Sequence, residues 1–304
     1  MRSLFLASIE ECECNRRVCE GTRERSTPLS EQFSQLRREE HGAPEHPGFT
    51  GKHLFLRFWG HATLGGIVLQ SLDSRKEPGM ITDTGTLISK VKELGPWFHQ
   101  IEVAEGVRTR DIAPSPGPQP RDHPLDRWII LEKVIPRDLS GLRILDIGCA
   151  EGFFAIEMAR RGAQVVAVDA APQYIARLNW LIAHFGLANI TTRVATIESM
   201  AEANERFDFV LMIALLYHLR SPQLGLDIVS KFTNTLYLES LLHDSNDNSY
   251  LYLRQPVEGV QFMPKWVPTE KCILDMLAFA GFSNTTILDR PANLGNRGLY
   301  LARH

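Results

Sequence analysis

Between Arg143 and Leu241 the chain alternates short apolar runs with segments of helical period. This alternation constrains the fold more than any other feature. "RILDI" (143–147), "QVVAVDA" (164–170), "ITTRVA" (190–195), "FDFVLMIA" (207–214) and "NTLYLESL" (234–241) have the length and β-branched content of strands. Between them lie "FFAIEMARRG" (153–162), "PQYIARLNWLIAHFG" (172–186) and "PQLGLDIVSKF" (222–232), which read as helices. Pro172 suits a first helical turn and Gly186 a helix end. Strands separated by helices can pair only in parallel, so the expected class is α/β, a doubly wound, mostly parallel sheet. "TEKCILDMLAFAGF" (269–282) reads as a helix capped by Thr269. "SNTTILD" and "RGLYLAR" read as a closing antiparallel strand pair.

The chain divides near Met80. Residues 1–79 hold 11 basic and 11 acidic side chains and little periodicity; residues 80–304 hold 22 and 25, so the later part carries the net charge of −3. The first part reads either as an N-terminal extension of low order or as residues upstream of a biological start at Met80. Residues 80–137 read as a cap and lid segment, in which Thr86 caps a helix stopped by Gly95-Pro96. Residues 138–304 read as the core. "VRTRDIAPSPGPQPRDHPLD" (107–126) reads as a proline-rich access loop whose Arg108, Arg110 and Arg121 are candidates for phosphate contact. Cys12, Cys14 and Cys19 lack zinc-site spacing, no metal-ligand set emerges, and Cys149 reads as a small buried residue. No run has the length of a membrane span. With no signal peptide legible at the start, a cytoplasmic location is expected; oligomeric state is not indicated.

Ligands of doubly wound sheets lie at the carboxyl ends of the strands. Here the first strand enters "DIGCAEGFF", a loop with Gly148 and Gly152 but an acid, Glu151, between them. A dinucleotide site wants G-x-G-x-x-G and a pyrophosphate at the helix start, where an acid repels. Asp146 at the strand tip suits a cationic ligand instead. S-adenosylmethionine carries an ammonium and a sulfonium and no phosphate. Gly148, Ala150 and Gly152 then allow close backbone approach. Asp169, with Ala170 beside it, faces the ribose hydroxyls, and Ile197 and Glu198 cover the adenine.

"LDIGCAEG" with "VVAVDA" resembles the class I S-adenosylmethionine-dependent methyltransferases, which implies a Rossmann-like fold. A narrower resemblance rests on "PWFHQIEV", "FDFVLMIALLYHLRSP", "TLYLESLLHDSNDN", "VQFMPKWVPT" and "NRGLYLAR". These are similar to the methyltransferases and carboxymethyltransferases that act on the 5-hydroxyl of a tRNA wobble uridine. The resemblance implies that Tyr217 and Arg297 contact the cofactor's carboxylate. It implies that Arg127-Trp128 stands for a Lys-Trp pair, and that Ile213 replaces a common methionine. His99 occupies the place of a lysine that holds the additional carboxylate of carboxy-S-adenosylmethionine. Neutral histidine is the weaker anion partner, which favours plain methyl transfer.

His218 is then the first candidate for a base, beside Tyr217. Trp97, His99, Arg127 and Glu239 are candidates for the substrate side, with packing as the alternative for the tryptophan and helix capping for the carboxylate. The expected acceptor is a tRNA anticodon loop or, alternatively, a small hydroxylated metabolite, lipid or sugar. A cofactor-binding protein without catalysis is the third reading.

Overall fold

The computed structural model describes residues 83–116, 124–244, 248–255, 265–290 and 294–304. The N-terminal extension, its three cysteines and Arg121 lie outside the described residues, as does the whole of the first of two units, Met1–Pro47; everything below belongs to the second, Gly48–His304.

Helix α1 (Thr84–Leu94) opens the described chain. Its cap is Asp83, not Thr86: the Asp83 carboxylate accepts from the Thr86 backbone N–H at 2.8 Å and from its hydroxyl at 2.7 Å. An aspartate here satisfies an orphan N–H and opposes the helix dipole, so the start moves upstream of the threonine. The stretch read as an open loop is partly regular. Strands β1 (Glu102–Ala104) and β2 (Val107–Arg108) pair antiparallel, followed by the short α2 (Thr109–Ile112) and by α3 (Leu125–Val134). Arg110 is buried there, while Arg108 sits 3.6 Å from Glu102.

The core follows the expected alternation: β3 (Arg143–Ile147), α4 (Phe153–Arg160), β4 (Gln164–Asp169), α5 (Pro172–Phe185), β5 (Ile190–Val194), β6 (Phe209–Ile213), α6 (Pro222–Phe232) and β7 (Thr235–Leu241). A small antiparallel pair, β8 (Leu251–Arg254) with β9 (Lys265–Pro268), comes next. Helix α7 (Glu270–Phe279), capped by Thr269 as expected, precedes β10 (Asn284–Ile287) and β11 (Arg297–Arg303). The seven-stranded sheet runs β10-β11-β7-β6-β3-β4-β5. β3 to β7 are parallel, and β11 returns antiparallel between β7 and β10.

The central strands are apolar on both faces because helices cover both. Leu145, Val210, Leu211, Met212, Leu236 and Leu238 are all fully buried. The order reverses between β3 and β6, which opens a crevice at their carboxyl ends. Among the described residues no helix is long and apolar enough to cross a membrane.

Candidate active site

A cavity of about 400 Å³ occupies that crevice. Its walls come from the turns after β3 (Asp146, Gly148, Ala150), β4 (Asp169, Tyr174) and β6 (Ile213, Ala214, Leu215, Tyr217, His218). The cap side supplies Phe98, His99 and Arg127, and the far end Lys265 and Arg297.

The β3 turn is shaped by backbone conformation. Gly148 has φ 76° and Ala150 φ 46°, and across the cavity Ala214 has φ 56°. Left-handed alanines cost strain and concentrate where a chain is bent around a ligand. A Cβ on Gly148 would sit 3.1 Å from Leu215, so glycine keeps this wall open. Gly152 plays another part. It lies outside the cavity lining, and a Cβ there would fall 2.4 Å from Leu178 of α5, so this glycine lets α4 and α5 approach.

Asp146 is 2% exposed, and its Oδ2 has no hydrogen-bond partner. Burial raises its pKa to about 7, with the charge of Asp169 adding to the shift and a backbone N–H from Ala155 opposing it. A buried carboxylate with an open lone pair on a cavity wall fits an ammonium donor, because that cation restores the charged form. Asp169 accepts from Ala150 N–H at 3.0 Å and from Ala171 N–H at 2.8 Å, which fixes the carboxylate at the strand tip while each oxygen keeps a lone pair for a hydroxyl. Burial raises its pKa as well.

The sign of the Asp146 effect follows from linkage. Its pKa is raised in the folded state, so its contribution to stability falls as pH climbs from 3.8 towards 7. Binding a ligand ammonium reverses this, because only the carboxylate pairs with it. S-adenosylhomocysteine is therefore expected to release a proton on binding near pH 6, and to bind more tightly as pH rises to 7. Calorimetry at pH 6 in buffers of different ionisation enthalpy reads this directly; a heat independent of buffer would refute it.

The acid of the glycine loop turns away from the cavity. Glu151 is fully buried and accepts from Phe98 N–H (2.9 Å), His99 N–H (3.3 Å) and Arg177 Nη1 (3.2 Å). Arg177 also donates to the Leu94 carbonyl at 2.7 Å. Glu151 thus joins the loop to the cap segment and lies outside the cavity lining. His99 is held in turn: its Nδ1 receives the Phe153 N–H at 3.5 Å. Burial first, then the positive charges of Arg127 and Arg110, pull its pKa down to about 3, so the ring is neutral at physiological pH.

At the opposite end Glu239 is fully buried. Its Oε1 accepts from Arg127 Nε at 3.2 Å and from Arg297 Nη1 at 2.8 Å. The same Arg297 nitrogen lies 3.3 Å from the Tyr217 hydroxyl. Glu239 does not border the cavity. Its place under two arginines makes it their anchor, in place of the substrate contact or helix cap expected from the sequence. Lys265 Nζ stands 5.4 Å from the centre of the Tyr217 ring. Burial, then Lys265 and Arg297, hold the His218 pKa down to about 4.

Of the residues expected from the sequence, the cavity collects Asp146, Gly148, Ala150, Asp169, Ile213, Tyr217, His218, His99, Arg127 and Arg297. Others lie outside its lining. Trp97 is fully buried, its indole N–H donating to the Val91 carbonyl at 2.8 Å, so it packs the cap. Ile197 is part of the hydrophobic core, while Glu198 and Ala170 are exposed. Phe98, Phe154, Tyr174, Leu215 and Lys265 border the cavity without having been singled out. Tyr174 was legible in principle, since it sits in the first turn of the helix after β4, which faces the crevice. Lys265 lies inside "VQFMPKWVPT".

Residues 144–234 match a family described as a methyltransferase domain. By this match, that stretch of the chain is a methyltransferase domain. The ubiquinone biosynthesis O-methyltransferase of Cereibacter sphaeroides is 35% identical to it over 135 residues, 44% of this chain and 53% of that protein. That of Brucella anthropi is 40% identical over 134 residues, 44% of this chain and 52% of that protein. The chain thus spans about half the length of the curated relatives it matches. The N-terminal domain of EvdMO1, solved in the presence of S-adenosylhomocysteine and D-fucose, superposes with a TM-score of 0.59 at 23% identity. It covers 75% of this chain and 99% of its own, a likeness of fold. The orphaned Asp146 carboxylate and the anchored Asp169 border the same cavity, the first open to a cation and the second with lone pairs open to hydroxyls.

Proposed function

We propose that the protein methylates a hydroxyl group of a small acceptor. S-adenosylmethionine supplies an electrophilic methyl carbon on a good leaving group, so the protein's task is alignment and exclusion of water. The observation that carries the reading is the cavity's two-sided chemistry. Two carboxylates stand on the β3–β4 side, and two imidazoles held neutral, His99 and His218, stand with Tyr217 on the other walls. The His218 imidazole is unprotonated near pH 7 and can accept the hydroxyl proton as the oxygen attacks, whereas the acceptor nitrogen of His99 is already engaged by the Phe153 N–H. A base with a pKa of about 4 is weak, so it suits an acidic, phenol-like hydroxyl. In this reading His218 takes the proton, and Tyr217 with Arg297 orients the acceptor. The curated relatives' names, O-methyltransferases of a small-molecule pathway, support the same class.

The tRNA wobble-uridine reading stands second. What favours it is the Tyr217–Arg297 contact at 3.3 Å, the pair that the narrower resemblance singles out. The net charge of −3 weighs against broad capture of nucleic acid. Plain S-adenosylmethionine is favoured over the carboxylated form because position 99, flanked by Arg127 and Arg110, holds a neutral ring.

The test offers methyl-labelled cofactor to the full chain with catechol-type acceptors in one arm and total tRNA in another. Label is expected in the small acceptor. Label in tRNA alone would overturn the reading.

A further inference from the structure

The cavity wall holds a hydrogen-bond donor that neither the fold nor the reading above employs. Tyr174 stands in the first turn of α5, which begins directly after the β4 tip, and it borders the cavity together with Asp169. Among the described residues its hydroxyl makes no hydrogen bond. The ring is nevertheless held in place. The Arg177 guanidinium, three residues along the same helix, lies 5.6 Å from the ring centre. Arg177 is itself pinned by Glu151 Oε1 at 3.2 Å and by the Leu94 carbonyl at 2.7 Å. The phenol is thus fixed through its ring while its polar tip stays open.

Asp169 stands beside Tyr174 without bonding to it. The carboxylate takes its hydrogen bonds from the backbone, from Ala150 N–H at 3.0 Å and Ala171 N–H at 2.8 Å. The two side chains are near enough to influence each other. Burial first, then the charges of Glu151 and Asp169, raise the Tyr174 pKa against the pull of Arg177. The phenol therefore keeps its proton at neutral pH and acts as a donor, whereas an ionised carboxylate only accepts. A ligand hydroxyl seated between them satisfies both, because its oxygen accepts from Tyr174 and its proton goes to Asp169. An ammonium cannot accept from the phenol, and an anion is repelled by the carboxylate. A ribose hydroxyl has the required double character, and Asp169 alone would leave its oxygen without a donor.

Resting on the reading of Asp169 as the ribose contact, we propose that the Tyr174 hydroxyl is a second ribose-binding group, donating to the same sugar hydroxyl from which Asp169 accepts. Tyr174 thereby selects for the sugar: a nucleoside that lacks this hydroxyl loses both contacts together.

The full-length protein is titrated calorimetrically with S-adenosylhomocysteine and with its 2′-deoxy and 3′-deoxy forms. The wild type is expected to bind one of the deoxy forms about tenfold more weakly or worse. Tyr174→Phe removes only the hydroxyl. It is expected to weaken the parent ligand about three- to tenfold, the step of one hydrogen bond, and to leave the affinity for that deoxy form unchanged. Its unfolding midpoint without ligand is expected to match the wild type, because the hydroxyl bonds to none of the described residues. Parent affinity untouched by Tyr174→Phe, an equal loss on all three ligands, or wild-type indifference to both missing hydroxyls would overturn the proposal. So would a fall in the ligand-free midpoint large enough to account for the weaker binding. If Asp169→Asn weakens S-adenosylhomocysteine and Tyr174→Phe does not, the ribose reading of Asp169 stands and this one falls. If neither does, both fall.

Discussion

Replacing Glu239 by alanine is expected to lower the midpoint of thermal unfolding by about 10 °C, from a loss of roughly 3–5 kcal/mol. The cause is not the removed carboxylate but what it leaves behind. Arg127 is 3% exposed, and Arg297 has only 19% of its side chain in contact with solvent. Both lean on the same Glu239 oxygen. Without it Arg297 loses its carboxylate beside Arg127, which keeps Asp126, where burial limits screening by water. Glu239→Gln keeps one carbonyl acceptor and the volume, so its loss should be about half as large. Differential scanning calorimetry separates the two. Equal, small effects from both would mean that the arginines find other partners.

Replacing Asp169 by asparagine is expected to weaken S-adenosylhomocysteine binding by about 10- to 100-fold, the cost of one or two charge-assisted hydrogen bonds. The carboxylate does two things at once. It holds the β3 turn through Ala150 N–H, and in the proposed site its remaining lone pairs meet the ribose hydroxyls. Asparagine retains one acceptor oxygen and brings an amide N–H₂ towards groups that are themselves donors. Isothermal titration gives the ratio. An unchanged dissociation constant would remove Asp169 from the cofactor site and unseat the electrostatic reading of the crevice.

The core was legible because its signal is local and periodic. Strand β11 runs over Arg297–Arg303 as its sequence suggests, and Thr269 caps its helix, since both depend on neighbours within a few residues. The two aspartates that border the cavity, Asp146 and Asp169, were legible for the same reason: a strand tip in an alternating fold has one place to point. What failed to show was long-range. Glu151 looks like a ligand-facing acid until the chain 53 residues upstream is seen to donate to it from Phe98. Glu239 reads as a strand-end carboxylate, and only β11 and α3, from opposite ends of the domain, turn it into an ion-pair anchor. Gly152 sits in a loop motif that sequence reasoning assigns to ligand approach, while the contact that requires it lies on α5. Ile197 was given to the adenine from its place after a strand, but its apolar side chain is drawn into the core.

The Glu151 junction has a mechanical consequence. The loop that would cradle the methionyl half of the cofactor and the segment that presents His99 to the cavity are fastened through one carboxylate, which Arg177 ties onward to the last carbonyl of α1. Ground for one ligand is therefore stiffened by the wall that meets the other. Through this one carboxylate the last carbonyl of α1, the His99 segment and the glycine turn form a continuous hydrogen-bonded strap.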